Sequence, residues 1–520
     1  MNTIHDLRIF IQNFYIKNLK NNFKALTISY SLSILLYLPN ITSLLPNPDA
    51  IWNSNMYKTG YDWEVYCGRP MLKILAKING FTISPSFFAI IGLFFCCLTG
   101  LLIADLLDIK HNISKILCSI LLVLSIAVQG TITGYYYFPF YMLAMFLAVL
   151  ALSIAFYINT TANITTKIVA IIIAGLILCI SLTTYQAYLG LAIPLGIILI
   201  IKNIFNESNT HITKMHISMF STLIIGILSY SIITKLAISS SEGRFTSFTF
   251  NGIFSRISNC YLYFYSYYLG NGFLNNDYSI FMKRRTINLI FFIILFIICT
   301  MLIYKNKYRF KQIILATLYL LIFPISLFII SLVSGDSILF GTTGAIMLPG
   351  FTLIYIVLIA LIDNMPIKWL KYVSYISLAT IIIMLTSLLI DGQTFLKYRM
   401  NKTDEVARLI VTQASPYIYN GEADDIMIVG QMENGNYPDC YPNLNESIKW
   451  TTPSYGTIWS DFTGSNACWN MYINEIIGTN LSIHWNNTID EKEIEDMTYF
   501  PSKGSIKLIN NTVVIKLSDW

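Results

Sequence analysis

The sequence predicts a polytopic α-helical membrane protein with about eleven transmembrane helices and a C-terminal soluble α/β domain. Of the 520 residues, 55% are hydrophobic and 12% are charged, whereas an ordinary soluble protein carries about 25% charged residues. Apolar runs recur between residues 25 and 391, and many are long enough to span the roughly 30 Å hydrocarbon core as a helix. The chain after residue 391 holds most of the acidic residues and no such run, which predicts a separate domain.

The N-terminal segment, residues 1–24, is too polar for a signal peptide. Its apolar residues Phe10, Ile11, Phe14 and Leu19 predict an amphipathic helix on the cytoplasmic membrane surface. A flexible tail is the alternative.

The transmembrane domain is predicted to occupy residues 25–391. Its candidate spans are 25–44, 82–104, 114–130, 139–157, 166–183, 187–202, 216–236, 286–304, 312–333, 344–362 and 372–391. Lys and Arg residues in the short loops favour a cytoplasmic N-terminus. An odd number of spans then puts the loops 45–81 and 237–285 and the tail 392–520 outside, in the periplasm of a Gram-negative cell.

The tail, residues 392–520, has a mixed α/β pattern. Residues 404–412 predict the start of a helix with acidic residues in its first turn. Residues 425–430 predict a buried strand, and residues 505–509 and 512–517 predict a hairpin around two asparagines. Cys440 and Cys468 also lie here, and an oxidising compartment would permit either a disulfide between them or two separate thiols.

The first outer loop carries the candidate catalytic acids, Asp62 and Glu64, among the aromatic residues Trp63 and Tyr66. A carboxylate that is partly desolvated near the bilayer surface is a better base toward a hydroxyl group, and aromatic rings suit a sugar face. The alternative is an interfacial aromatic belt with ordinary surface acids, because Trp and Tyr favour this depth.

Arg69 stands between Gly68 and Pro70, ahead of the amphipathic stretch 71–78. Because proline favours the first position of a helix, Arg69 is predicted to lie at a helix N-terminus. An arginine beside free backbone N–H groups suits a phosphate or carboxylate. The alternative is an arginine whose side chain reaches the lipid headgroups.

Further candidate binding residues lie on the same predicted face. Lys283, Arg284 and Arg285 precede a span on the predicted outer side, against the positive-inside bias. Either the topology differs in this region, or these residues bind a lipid phosphate of the substrate or anionic headgroups. Tyr185 and Gln186 follow the fifth span, where Gln186 could hold hydroxyl groups or simply end a helix. Arg244 is outward too, and suits loop solvation as well as binding.

With a net charge of +6 and no basic cluster with interleaved aromatics, the sequence predicts no nucleic-acid partner.

Together these pieces resemble the phage-encoded Gtr glucosyltransferases that convert bacterial O-antigen serotype. The likeness rests on the Asp-Trp and Gly-Arg-Pro residues within segment 62–70, on Tyr185-Gln186, and on the ending, residues 499–506 and 513–517. The order of the predicted spans, loops and tail is similar over nearly the whole chain, but the residues themselves are similar only in these short stretches.

The resemblance implies a GT-C-like fold and an inverting hexosyltransferase of the bacterial inner membrane. It implies transfer of glucose from undecaprenyl phosphate to the lipid-linked O-antigen in the periplasm, with neither a nucleotide cofactor nor a metal. The acid of the first outer loop would be the base, which maps onto Asp62, with Glu64 second. The donor lipid implies functional coupling to a polyprenyl-phosphate glucosyltransferase and a flippase.

Two other functions remain open at the level of sequence. A sugar-lipid flippase would explain the many spans, but would favour charges buried within them. An O-antigen polymerase would use similar lipid-linked substrates, but would be expected to carry its key residues in large mid-chain loops.

Overall fold

The computed structural model of the protein divides into two compact units, residues 1–42 with 60–389 and residues 43–59 with 390–520. The structure describes residues 20–43, 45, 50, 62–80, 84–134, 137–158, 164–206, 209–237, 252–269, 285–306, 308–334, 349–363, 367–432, 435–436 and 466–519, without the side chains of 62–63, 206–214 and 333–334. The predicted surface helix at 1–24 therefore lies almost wholly outside the described residues, as does Cys440 of the predicted disulfide.

The first unit is helical throughout the part of the chain that the structure describes. Its helices are α1 Phe23–Leu36, α2 Leu38–Thr42, α3 Asp62–Tyr66, α4 Pro70–Ile78, α5 Pro85–Leu106, α6 Asn112–Val123, α7 Ile126–Ile132, α8 Phe138–Tyr157, α9 Ile164–Thr184, α10 Leu189–Asn206, α11 Asn209–Ala237, α12 Ile253–Leu269, α13 Arg285–Asn306, α14 Phe310–Leu327, α15 Ile329–Ser334, α16 Leu353–Asp363 and the first part of α17 Lys368–Tyr419. Short 3₁₀ turns, Gln186–Tyr188 and Pro349–Thr352, precede α10 and α16.

Eight helices in the described residues are long and apolar enough to cross a membrane, and the bent pair α6–α7 is a ninth candidate. Shorter apolar helices lie at Phe23–Leu36 and Pro349–Asp363. Every predicted span overlaps one of these helices, which identifies a membrane protein and is consistent with a polytopic one. The count of eleven crossings stays a prediction.

Helices α5, α8 and α9 form the centre of the first unit. Helix α8 packs against both α5 and α9, and the amphipathic helix α4 packs against α9. The spacing between helices is tight at small residues: a Cβ on Gly100 would come within 2.5 Å of the Ser119 Cα atom on α6. This packing brings α4, the start of α8 and the end of α9 together.

The predicted outer loop 237–285 contains a helix in its described part. Helix α12 packs against α13 and α14, and the Arg256 guanidinium donates a hydrogen bond of 2.7 Å to the backbone carbonyl of Leu332. The tyrosine-rich stretch of this loop is therefore part of a packed helix.

The prediction of a helix that starts at Asp404 is wrong. Helix α17 begins at Lys368 and continues to Tyr419, so the end of the apolar run near residue 391 does not end the helix. The segment 391–404 contains six strong helix formers and no proline, and Gly392 alone costs only about 1 kcal/mol. The predicted domain boundary at residue 391 stays a prediction.

The second unit contains a three-stranded sheet of order β1–β3–β2, with β1 Asp425–Val429, β2 Ile506–Ile509 and β3 Thr512–Lys516. β1 and β3 are parallel, and β2 and β3 are antiparallel. Both the predicted strand and the predicted hairpin are confirmed. Asn510 and Asn511 have φ values of +46° and +65°, which is the geometry of a two-residue hairpin turn with right-handed strand twist.

Both faces of this sheet are covered. Ile426, Ile428 and Ile515 face a core that includes Trp469 and Phe500. Met427, Val429, Ile489, Met497, Ile509 and Val514 form a smaller cluster. Short helices, α18 Asn466–Met471 and α19 Glu491–Glu495, and a π-helical turn, Tyr472–Ile477, complete the unit.

Candidate functional site

A sharp turn between α3 and α4 positions the first candidate residues. Gly68 has a φ of +80°, and its N–H donates to the Val65 carbonyl oxygen, while the Arg69 N–H donates to the Glu64 carbonyl oxygen, both at 2.9 Å. These two bonds are a Schellman motif, which needs glycine at its left-handed position. Pro70 then opens α4 with Arg69 as its N-cap residue, as predicted. The turn folds Arg69 back beside Glu64.

The Arg69 guanidinium holds three side chains at once. Its Nη1 donates to Glu64 Oε2 at 2.8 Å and to the Tyr141 hydroxyl oxygen at 2.9 Å. Its Nε donates to Gln186 Oε1 at 3.3 Å. Arg69 therefore links α3, the start of α8 and the turn after α9, rather than reaching out to headgroups.

Gln186 and two tyrosine rings complete the arrangement, which we call the Arg69 cluster: Glu64, Arg69, Tyr141, Tyr185 and Gln186. Gln186 Nε2 donates to the Cys67 carbonyl oxygen at 2.9 Å, which fixes the amide against the turn. The rings of Tyr141 and Tyr185 stack with centroids 4.0 Å apart, and the Arg69 Cζ atom lies 4.8 Å from the Tyr185 centroid. A desolvated cation over an aromatic face adds to the hydrogen bonds.

The cluster is buried but not sealed. Glu64 is 5% exposed, and the side chain of Arg69 is 19% exposed. Burial lowers the pKa of the Arg69 guanidinium, but interactions with Tyr141 first and then Glu64 outweigh it and raise that pKa well above its ordinary value. The guanidinium is thus a permanent positive charge, and its Nη2 has no hydrogen-bond partner among the described residues.

The other predicted residues do not all join this cluster. Asp62 and Trp63 belong to the same short helix α3, but their side chains lie outside the described residues. Tyr66 is half-buried in α3 and makes no hydrogen bond to the cluster in the part described. Arg285 begins α13 with an exposed side chain, and among the described residues it forms no hydrogen bond or ion pair with the cluster. Three other predicted residues lie outside the described residues: Arg244, Lys283 and Arg284.

Tyr141 is the member that the sequence analysis missed. It lies in the first turn of α8, one turn after Tyr137, and the two rings stack at 4.7 Å. The signal in the sequence is a pair of tyrosines four residues apart at the predicted outer end of a span. Such a pair also fits an aromatic belt, so only the contact with Arg69 distinguishes it.

The arrangement suits a ligand that combines a negative charge with a sugar. A fixed guanidinium whose Nη2 has no partner in the described part of the chain can hold a phosphate oxygen. Tyrosine rings and an amide offer surfaces and hydrogen bonds for hydroxyl groups.

A family model described as glucosyl transferase GtrII matches residues 38–354, which is more than half of the chain and includes every member of the Arg69 cluster. No curated protein and no solved structure matches the chain.

Proposed function

The chain belongs to the glucosyl transferase GtrII family, and from that premise we propose that it transfers glucose from undecaprenyl-phosphate-glucose to a sugar of the lipid-linked O-antigen. The family makes it a membrane-bound glucosyltransferase of O-antigen modification. The observation that carries the finer proposal is the Arg69 cluster, a buried positive charge beside tyrosine rings at the ends of apolar helices.

The proposed reaction is a direct displacement with inversion. An acceptor hydroxyl oxygen attacks the anomeric carbon of the donor, and the bond from that carbon to the phosphate oxygen breaks. The Asp62 carboxylate takes the hydroxyl proton, and undecaprenyl phosphate leaves with the electron pair. Arg69 stabilises the charge that develops on the leaving phosphate.

The ion pair with Arg69 supports different roles for the two acids. Because the Glu64 carboxylate already accepts a charge-assisted hydrogen bond at 2.8 Å, it is held in place as a partner of Arg69. We assign Glu64 to orienting the guanidinium, and Asp62, two residues earlier in α3, to proton transfer. Gln186 and the rings of Tyr141 and Tyr185 would bind sugar hydroxyls and faces, and Trp63 and Tyr66 are proposed as further sugar contacts.

The proposed membrane setting is the bacterial inner membrane, with a GT-C-like helical domain, a cytoplasmic N-terminus and a periplasmic second unit. Tyr141 at the start of α8 and Gln186 after the end of α9 meet at Arg69. This fits two consecutive spans that run in opposite directions, because the start of the first and the end of the second then lie on the same side of the membrane. Lys283, Arg284 and Arg285, together with Arg244, are proposed as further contacts of the donor phosphate. The positive charges on this side would hold the anionic lipid at the surface.

The decisive experiment incubates purified protein in liposomes with undecaprenyl-phosphate-glucose and lipid-linked O-antigen, and analyses the polysaccharide by mass spectrometry. Single glucose side groups are the expected product. Lengthened O-antigen chains would instead identify a polymerase, and the absence of any covalent product, with donor moved across the bilayer, would identify a flippase. Heat-denatured protein is the control.

A further inference from the structure

The second unit contains a polar cleft that the proposed chemistry does not use. It has a volume of about 600 Å³, which is within the usual range of small-ligand sites. One wall is the last part of α17, with Gln413 and Tyr417, and the other is the loop that carries Ser502 and Lys503. The loop belongs to the segment 499–506, which the sequence analysis singled out and the Arg69 cluster leaves unexplained.

Several hydrogen bonds fix the loop wall. The Thr498 hydroxyl donates to the Lys503 carbonyl oxygen at 2.8 Å. Asn436 Nδ2 donates to the Tyr499 carbonyl oxygen at 2.8 Å and to the Ser502 hydroxyl oxygen at 3.2 Å. The Lys516 N–H donates to the Ser505 carbonyl oxygen at 3.0 Å, which ties the loop to β3. A wall fixed in this way loses little conformational entropy when it binds a ligand.

The groups in the cleft suit a neutral ligand that is rich in hydroxyl groups. Its two charged residues, Lys503 and Glu422, have opposite signs, so the lining has no surplus charge for a polyanion. The Lys503 ammonium has no ion-pair partner and the Gln413 amide no hydrogen-bond partner among the described residues. The ring of Tyr417 is half-buried against the core, which gives the cleft a rigid aromatic edge.

We propose that this cleft binds a neutral stretch of the acceptor polysaccharide during glucosyl transfer. Hydroxyl groups accept from ammonium and amide groups and donate to carboxylates, and all three are present on the two walls. The inference rests on the proposed function, because it assigns the cleft to the acceptor of that reaction. It adds a binding site in the second unit to a reaction whose chemistry is placed in the first.

The kinetic test compares Lys503→Ala and Gln413→Ala, one from each wall, with Lys507→Ala as the matched control. Lys507 is exposed on β2 and does not line the cleft. Losing one hydrogen bond to a polar ligand should raise the acceptor KM about 5- to 10-fold in each wall variant. The kcat and the donor KM should stay unchanged, and the control should match the unmodified protein. Acceptor KM values equal to that of the control, or a loss confined to kcat, would overturn the inference.

A binding measurement separates this inference from the proposed reaction. Delipidated O-antigen polysaccharide is titrated into the full-length protein in detergent without donor, by isothermal titration calorimetry, with inorganic phosphate in a parallel arm. We expect Lys503→Ala and Gln413→Ala to weaken polysaccharide binding at least 5-fold, and to leave any binding of phosphate to the protein unchanged. Lys503-dependent phosphate binding without polysaccharide binding would overturn the inference. If the unmodified protein binds polysaccharide here but transfers no glucose, the proposed reaction fails and the cleft assignment stands.

Discussion

The two ends of helix α8 each contact a buried ion pair, and the two pairs differ in what they leave available. At one end Tyr141 accepts from Arg69, which pairs with Glu64. At the other end, roughly 24 Å along the helix at 1.5 Å per residue, the Tyr157 hydroxyl donates to the Asp105 carbonyl oxygen at 3.1 Å. Asp105 in turn pairs with Lys115.

The pair at the Tyr157 end is part of a closed network. Lys115 Nζ donates to Asp105 Oδ1 and to Asn22 Oδ1, both at 2.6 Å, and Asn22 Nδ2 donates back to Asp105 Oδ2. Each charged group therefore satisfies the others and joins α5, α6 and the residue before α1. The Arg69 cluster keeps a guanidinium nitrogen without a partner in the described residues. We infer that the closed network stabilises the helix bundle and the open cluster binds ligand.

The largest expected effect is on the proposed base. Asp62→Asn should lower kcat by about 10² to 10⁴, the usual contribution of general-base catalysis, with normal protein abundance. Initial glucosylation rates in liposomes measure this, with Glu64→Gln as the comparison. If Glu64→Gln lost more kcat than Asp62→Asn, the roles assigned to the two acids would be reversed.

The second largest effect is expected on the stability of the protein, when the closed network is broken. Asp105→Asn leaves the Lys115 ammonium buried without its counter-charge, so the free energy of unfolding should fall by about 3 kcal/mol, while kcat per folded molecule stays unchanged. The midpoint of thermal unfolding in detergent reports the loss. Adding Lys115→Met to Asp105→Asn should recover part of the stability, because the unpaired charge is then gone. A variant with normal stability and lost activity would show that this end also functions in catalysis.

The guanidinium geometry is tested by Arg69→Lys, which keeps the charge but cannot hold Glu64, Tyr141 and Gln186 together. We expect kcat to fall about 100-fold, in the range seen when one stabilising donor is removed. Arg408→Lys is the matched control, because Arg408 forms an exposed ion pair with Asp404 in the second unit. Full activity of Arg69→Lys would mean that charge alone suffices.

The smallest expected effect is a loss of rate when the hydroxyl group is removed from one of the two tyrosines at the ends of α8. Tyr141→Phe removes one hydrogen bond to Arg69 but keeps the ring that stacks on Tyr185, so the rate should fall about 5-fold, as expected for about 1 kcal/mol. Tyr157→Phe removes the equivalent bond at the closed end and should leave kcat unchanged. Steady-state rates of the two variants at equal amounts of folded protein decide this. Equal losses in both would contradict the distinction between the two ends.

Local patterns were enough to predict much of the fold. The apolar runs predicted helices wherever the structure has apolar helices, because a span needs continuous apolar residues. The hairpin at Asn510-Asn511 and the cap at Arg69-Pro70 were also predicted, because both depend on the φ preferences of neighbouring residues. The helix start at Asp404 was wrong, since a change in composition along a helix need not break its hydrogen-bond ladder.

The candidate site was only partly predictable. Glu64, Arg69, Tyr185 and Gln186 were selected from their residue types beside predicted span ends, and the structure brings these four together. Tyr141 was missed, and the ion pair of Glu64 with Arg69 was not foreseen. Gln186 lies 117 positions after Arg69, and nothing in either local segment specifies the other as its partner.

The sequence by itself determined that this chain is a membrane protein with polar residues concentrated at helix ends, because hydrophobicity and turn chemistry act over a few neighbouring residues. Only the tertiary structure decided which of those polar residues meet. Arg69 is held by Glu64, Tyr141 and Gln186 because α4, α8 and α9 pack side by side. That packing depends on side-chain shapes spread over more than a hundred residues, and it turns separate polar positions into one charged site.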